Sequence, residues 1–207
     1  MKDVQKVYNM KMVIGLTGNY GMGKSFVLSV FRELGAVVLD SDEIVHLLLQ
    51  DSRVILSIGK ILGEQAVKND GSLDKLKIAE IIFNNSKLRD KIEKLLHPLV
   101  FDKVEGFLRK NEGKKQVVVV EVPLLFEGRY QGRFNRTVTV FTTQKTALER
   151  LGKGGISRSN GMKRLKAQLP ILIKKKKADY LINNNGTKQR TRKQVEDVYN
   201  SLLGELG

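Results

Sequence analysis

The 207 residues carry 37 Lys and Arg against 22 Asp and Glu, a formal charge of +15, with 41% hydrophobic residues and neither Cys nor Trp. Disulfides and thiolate metal centres are thereby excluded, two histidines are too few for a zinc site, and no apolar run reaches the ~20 residues of a membrane helix. Met1 to Lys11 lacks the apolar core of a secretory signal, so the expectation is a cytoplasmic protein built as one domain with elaborations.

Met12 to Thr17 is apolar enough for a buried strand, and Phe26, Val27, Val30, Phe31 and Leu34 fall on one face of a helix. Between them runs Gly18-Asn19-Tyr20-Gly21-Met22-Gly23-Lys24-Ser25, which satisfies the G-x-x-x-x-G-K-S spacing of a phosphate-binding loop. The glycines let successive N–H groups turn inward on a polyphosphate, and Lys24 adds a mobile charge at a helix N-terminus. The Ser25 hydroxyl is suited to a magnesium ion bridging two phosphates. Nucleoside triphosphate binding follows, with Gly18 through Phe26 as the contacting residues.

Ala36 to Leu39 reads as a second strand running into Asp40-Ser41-Asp42. Two acids at the carboxyl end of a parallel strand stand where a base for an acceptor hydroxyl is wanted, although Ser41 or Asp42 could equally cap the helix Glu43 to Leu49. From 51 to 110 the pattern is helical without an interrupting strand: Ser52 to Leu62, Leu73 to Phe83, Lys87 to Leu96 and Leu99 to Lys110. Such a long insertion exceeds an ordinary crossover and reads as a substrate-recognition subdomain. His97-Pro98 is expected between its last two helices, with Pro98 at a helix start and His97 either structural or a ligand contact.

Gln116 to Val122 is the strongest strand, apolar on both faces and therefore central. Glu121 near its end is a candidate for the magnesium water shell or for a buried pair with a lysine. A fourth strand (Arg136 to Thr142), a helix (Thr143 to Leu151), a fifth strand (Ala178 to Ile182) and a closing helix (Arg192 to Leu206) complete an α/β pattern. From Leu151 to Lys177 the chain is glycine-containing and very basic, the composition of a mobile lid that brings cations over a transferring phosphoryl group.

Taken together, the phosphate loop, Leu39-Asp40-Ser41-Asp42, Asp70-Gly71 with Leu73-Asp74, Leu95-Leu96-His97-Pro98, Val122-Pro123-Leu124-Leu125-Phe126-Glu127, Arg164 to Pro170 and Ala178 to Gly186 resemble the dephospho-coenzyme A kinase family over nearly the whole chain. The resemblance implies a P-loop NTPase fold of the nucleotide-kinase type, a five-stranded parallel sheet flanked by helices. Residues 1–45, 111–150 and 178–207 would form its core, 46–110 the helical coenzyme-binding insertion and 151–177 the lid. It implies phosphorylation of the ribose 3′-hydroxyl of dephospho-coenzyme A by ATP with magnesium. Asp42 would be the base, Lys24 and Arg150 the phosphate contacts, Ser25 and Glu121 the residues nearest the metal, and Asp42, Lys75, His97, Pro98 and Leu124 the substrate pocket.

The chain departs from the family pattern at several places. Phe26 stands for a Thr, Asn19-Tyr20 for Gly-Ile, Met22 for Ser, and His46 and Lys75 each for an Arg. Gly152-Lys153-Gly154-Gly155 replaces a segment that carries an Arg-Asp pair in the family. A kinase of another small metabolite would keep the loop and lid without needing His97-Pro98. A nucleic-acid-binding NTPase would suit the charge, but 6% aromatic residues leave little for base stacking, so no nucleic-acid or membrane partner is expected.

Overall fold

A computed structural model describes residues 11–110 and 115–206. The stretch 1–10, expected to carry no secretory signal, lies outside the described residues. Five strands, β1 (Lys11–Thr17), β2 (Val37–Asp40), β3 (Gln116–Glu121), β4 (Arg136–Phe141) and β5 (Tyr180–Asn183), form one parallel sheet in the order β2-β3-β1-β4-β5. β1 lies third, with its seven residues all buried, because Met12, Ile14 and Leu16 face one layer while Val13 and Gly15 face the other. Gly15 makes room for its neighbours there, since a Cβ would come within 2.4 Å of Leu125 Cδ1 and force that side chain to shift.

Helix α1 (Lys24–Glu33) follows the phosphate loop and buries Val27, Leu28, Val30 and Phe31 in the sheet's principal apolar cluster. The chain then leaves the sheet for a second compact unit, 41–111. It contains α2 (Ser41–Leu48), α3 (Ser52–Leu62), α4 (Lys75–Asn84) and α5 (Ser86–Lys110). Asp51 and Asp74 cap α3 and α4 by accepting from the N–H groups of Arg53 and Lys77. The unit's core is aliphatic, with Val54, Ile58 and Leu62 of α3 meeting Ile92 and Leu96 of α5.

Two expectations for this unit change. His97 and Pro98 do not separate two helices: α5 runs unbroken for 25 residues with Pro98 inside. Proline removes one helical hydrogen bond at a cost of about 3 kcal/mol. The buried stripe Ile92, Leu96, Val100, Val104 and Leu108 offsets that cost, and Pro98 itself is exposed on the face it shares with Lys94, whose carbonyl loses its donor. The all-helical reading also missed a small hairpin. Val67 and Leu73 form an antiparallel bridge around Asp70-Gly71, where Gly71 adopts φ 80° and Asp70 accepts from Ser72 N and Oγ.

Back in the sheet unit, α6 (Gln144–Lys153), α7 (Arg158–Lys166), α8 (Ile171–Lys177) and α9 (Lys188–Glu205) complete the chain. Thr143, Ser157 and Thr187 cap α6, α7 and α9. α9 begins four residues before the expected Arg192, because Thr187 supplies a cap that the apolar periodicity alone does not mark. α8, where no helix was expected, ends in the lysine run 174–177, and one of those lysines is fully buried.

Candidate active site

The loop Gly18 to Ser25 leaves the carboxyl end of β1 and enters α1, and its glycines are fixed by close neighbours. Gly23 has φ 84°, and a Cβ there would lie 2.1 Å from Asn184 Nδ2. Gly21 has φ 74° and faces the Ala147 carbonyl, 2.6 Å from where a Cβ would sit. The Asn184 amide donates to the Met22 carbonyl at 2.9 Å, its Oδ1 accepts from Thr191 Oγ1 at 3.0 Å, and its own carbonyl accepts from Arg150 Nη2 at 2.9 Å. One buried asparagine after β5 therefore ties the loop to α6 and α9.

Lys24 Nζ lies 3.6 Å from Glu121 Oε1, with both side chains largely buried. The register aligns Asp40, Glu121 and Leu16 on three adjacent strands, so two carboxylates sit beside the start of the loop. Ser25, in the first turn of α1, is exposed, while Phe26 is half-buried with the Lys188 ammonium 5.7 Å from its ring centre. Arg150 is in the last turn of α6. Its Nη1 is buried without a hydrogen-bond partner and would lie 3.2 Å from a Cβ on Gly23, so the guanidinium points at the phosphate loop with donor capacity unspent. Lys153 and Arg158 are exposed.

The tip of the loop is held from the basic segment. Asn19 Nδ2 donates to the Leu169 carbonyl at 3.1 Å and Tyr20 N to Gln168 Oε1 at 2.8 Å. Arg164 donates to the Tyr20 hydroxyl at 2.7 Å and lies 4.8 Å above the ring. A cavity of about 400 Å³ beside these residues is lined by Asn19, Met22, Gln144, Lys166, Gln168 and Pro170. Leu124 is half-buried in the turn after β3, which Gly128 N closes by donating to the Leu124 carbonyl at 3.0 Å.

The remaining expected residues belong to the helical unit. Asp42 is exposed in the first turn of α2, one residue inside its start, where a carboxylate meets the positive end of the helix dipole. His97 is half-buried on α5, and burial lowers its pKa, favouring the neutral imidazole. Lys75 Nζ donates to His46 Nδ1 at 3.1 Å, so the two positions that depart from the arginine pattern meet each other. They line a cavity of about 750 Å³ together with Gln50, Lys68, Asp70 and Asp74. Among the described residues, no three His, Asp or Glu gather as a metal cage, and no helix is long and apolar enough to cross a membrane.

Asn184, Glu127, Gln168 and Lys174 were not singled out by residue reasoning. Asn184 and Glu127 lie in motifs already noted, whereas Lys174 is disguised as one of four consecutive lysines.

The sheet order, the loop at the carboxyl end of β1, and the paired Lys24 and Glu121 define a P-loop kinase. A solved shikimate kinase from Acinetobacter baumannii, in complex with shikimate, shares this fold at TM-score 0.55 and 16% identity, each chain covered to 97%. The family model for dephospho-CoA kinase matches residues 12–190, and the chain belongs to that family. The dephospho-CoA kinase of Aquifex aeolicus is 35% identical over 190 residues, covering 91% of this chain and 96% of the relative. That of Bacillus cereus is 34% identical, with coverages of 91% and 96%. The solved TT1252 from Thermus thermophilus superposes at TM-score 0.80 with 29% identity, covering 95% of this chain and 98% of its own. The reaction class is accordingly phosphoryl transfer to an alcohol group, that of dephospho-CoA in coenzyme A synthesis.

Proposed function

We propose that the chain transfers the γ-phosphoryl group of ATP to the ribose 3′-hydroxyl of dephospho-CoA. The acceptor oxygen forms a bond to phosphorus as the bridging bond to the β-phosphate breaks, ADP leaves, and the hydroxyl proton passes to the Asp42 carboxylate. The observation that carries this reading is the buried, unpartnered Nη1 of Arg150 beside Gly23. An unmet donor of that kind is costly in the free protein, and a phosphate oxygen in the loop would relieve it. Lys24, held near Glu121 at 3.6 Å, would shift to the β- and γ-phosphates when they enter.

The oxygen donors at hand, Ser25 Oγ with the Glu121 and Asp40 carboxylates, fit a magnesium ion, which prefers hard oxygens and keeps part of its water shell. Bound there, magnesium would neutralise charge on the β- and γ-phosphates. Ser25 would hold it directly and Glu121 would orient its waters. His97, Pro98, Lys75 and Leu124 serve the coenzyme, the helical unit acts as its recognition element, and 151–177 acts as the lid, with Gly155 at φ 81° as a hinge. The basic excess is read as phosphate-facing and structural: Lys174 is buried and Lys175 lies 3.9 Å from the Phe141 ring centre. A small-molecule acceptor, no nucleic-acid partner and a cytoplasmic setting complete the reading.

Purified protein with magnesium-ATP and dephospho-CoA should yield coenzyme A and ADP in equal amounts. ADP release that is indifferent to the acceptor, or that requires nucleic acid, would overturn the proposal.

A further inference from the structure

The Leu169 peptide, just after α7, is held on both sides. Its N–H donates to Glu127 Oε1 at 2.9 Å and its carbonyl accepts from Asn19 of the phosphate loop. Lys174, whose side chain is fully buried in α8, lies 2.9 Å from the same Glu127 oxygen and donates to the Pro123 carbonyl at 3.0 Å. That carbonyl also accepts from Thr17 Oγ1 at 3.2 Å, at the end of β1. Pro123 follows Glu121 by two residues, and Glu121 faces Lys24.

Stability does not explain this pair. Burying an ammonium and a carboxylate costs several kcal/mol of solvation, and an apolar pair of the same volume is commonly no worse. Glu127 places both contacts on one oxygen, leaving Oε2 buried without a hydrogen bond. Burial lowers the pKa of Lys174 and the charge of Lys24 acts in the same direction, while Glu127 opposes both. What an apolar pair cannot supply is directed bonds to the Leu169 N–H and the Pro123 carbonyl. Those two groups fix the basic segment against the loop tip and the turn that leads from Glu121.

We propose that Glu127 and Lys174 are positioning residues that hold the Leu169 peptide against the phosphate loop, setting the geometry in which the lid segment meets the bound phosphates. Only the rate readout of this idea rests on the kinase reading. The double variant Lys174→Met with Glu127→Leu removes both charges together, so no buried charge is left alone and the protein should melt within a few degrees of the parent. Amide exchange of Leu169 and Tyr20, followed by NMR without any acceptor, should speed up at least about tenfold in that variant. Coenzyme A formation should fall about 10- to 100-fold, the usual effect of a displaced clamp, with the KM for dephospho-CoA changed less than threefold. Lys174→Met alone should be slower still and less stable, because it leaves Glu127 without its counter-charge. A folded double variant with parental exchange and parental turnover would show the pair to be mere filling and overturn the proposal. Because the exchange measurement needs no acceptor, it decides the positioning role even if dephospho-CoA is not the substrate.

Discussion

Both compact units carry ion pairs at their surfaces, but among the described residues only the sheet unit also buries charge. Of the buried polar and charged residues among those described, all but Ser41 lie in the sheet unit, including Lys174, Glu121, Asn19 and Asn184. In the helical unit the cluster between α3 and α5 is aliphatic, and Asp51 with Arg53, Lys77 with Glu80, and Glu105 with Arg109 pair at the surface. A protein that must aim donors at a polyphosphate accepts the desolvation of ions where their direction matters.

This contrast is sharpest at the two residues expected to matter most. Asp42→Asn, in the helical unit, should lower turnover by roughly 10²–10⁴-fold while nucleotide affinity stays at the parental value. Lys24→Ala, in the sheet unit, should cost about 10²–10³-fold in turnover and also weaken nucleotide binding, measured by titration with a fluorescent ATP analogue. If Asp42→Asn lowers the melting temperature but leaves turnover per folded molecule intact, the residue serves α2 and not the chemistry.

Of the two cations in the last turn of α6, Arg150→Ala should reduce turnover about 10- to 100-fold, and Lys153→Ala by much less. Both lie on α6, against the expectation of a loop lysine, but Arg150 is anchored by Asn184, whereas Lys153, the last residue of the helix, is exposed and its long side chain would lose its freedom on meeting a phosphate. A larger loss for Lys153→Ala in steady-state kinetics would move the clamp to the exposed end of α6.

A smaller effect is expected from His97. Its folded-state pKa lies below the unfolded value of about 6.5, so the unfolded chain binds the extra proton first. The stability contributed by the neutral, half-buried ring is therefore full above pH 6.5 and declines as the pH falls from there towards the folded-state value. Urea midpoints should drop between pH 7.5 and pH 5 more in the parent than in His97→Asn. Least of all, Lys77→Ala should change stability by under about 0.5 kcal/mol, because its partner Glu80 sits with it in open water.

The sequence made the sheet, the phosphate loop and the aliphatic faces of α1 and α3 legible, because each depends on local periodicity and on glycine spacing. It did not reveal that α5 passes through Pro98, since the competing quantities, one lost hydrogen bond against a long buried stripe, are weighed only in three dimensions. Lys174 was invisible for a related reason. Four consecutive lysines look alike, and only the packing of α8 shows which one turns inward. One partner of Asn184, the Met22 carbonyl, lies 162 residues away, a separation no local pattern encodes.

The stacking of Arg164 on Tyr20 has a practical consequence. The chain contains no tryptophan, so Tyr20→Trp would install a sole indole fluorophore at the point where the basic segment touches the loop tip. The flat face for the guanidinium is kept and only the hydroxyl acceptor is lost. Its emission would brighten or shift whenever Arg164 departs, turning that contact into an optical gauge of whether the two segments part when nucleotide is added.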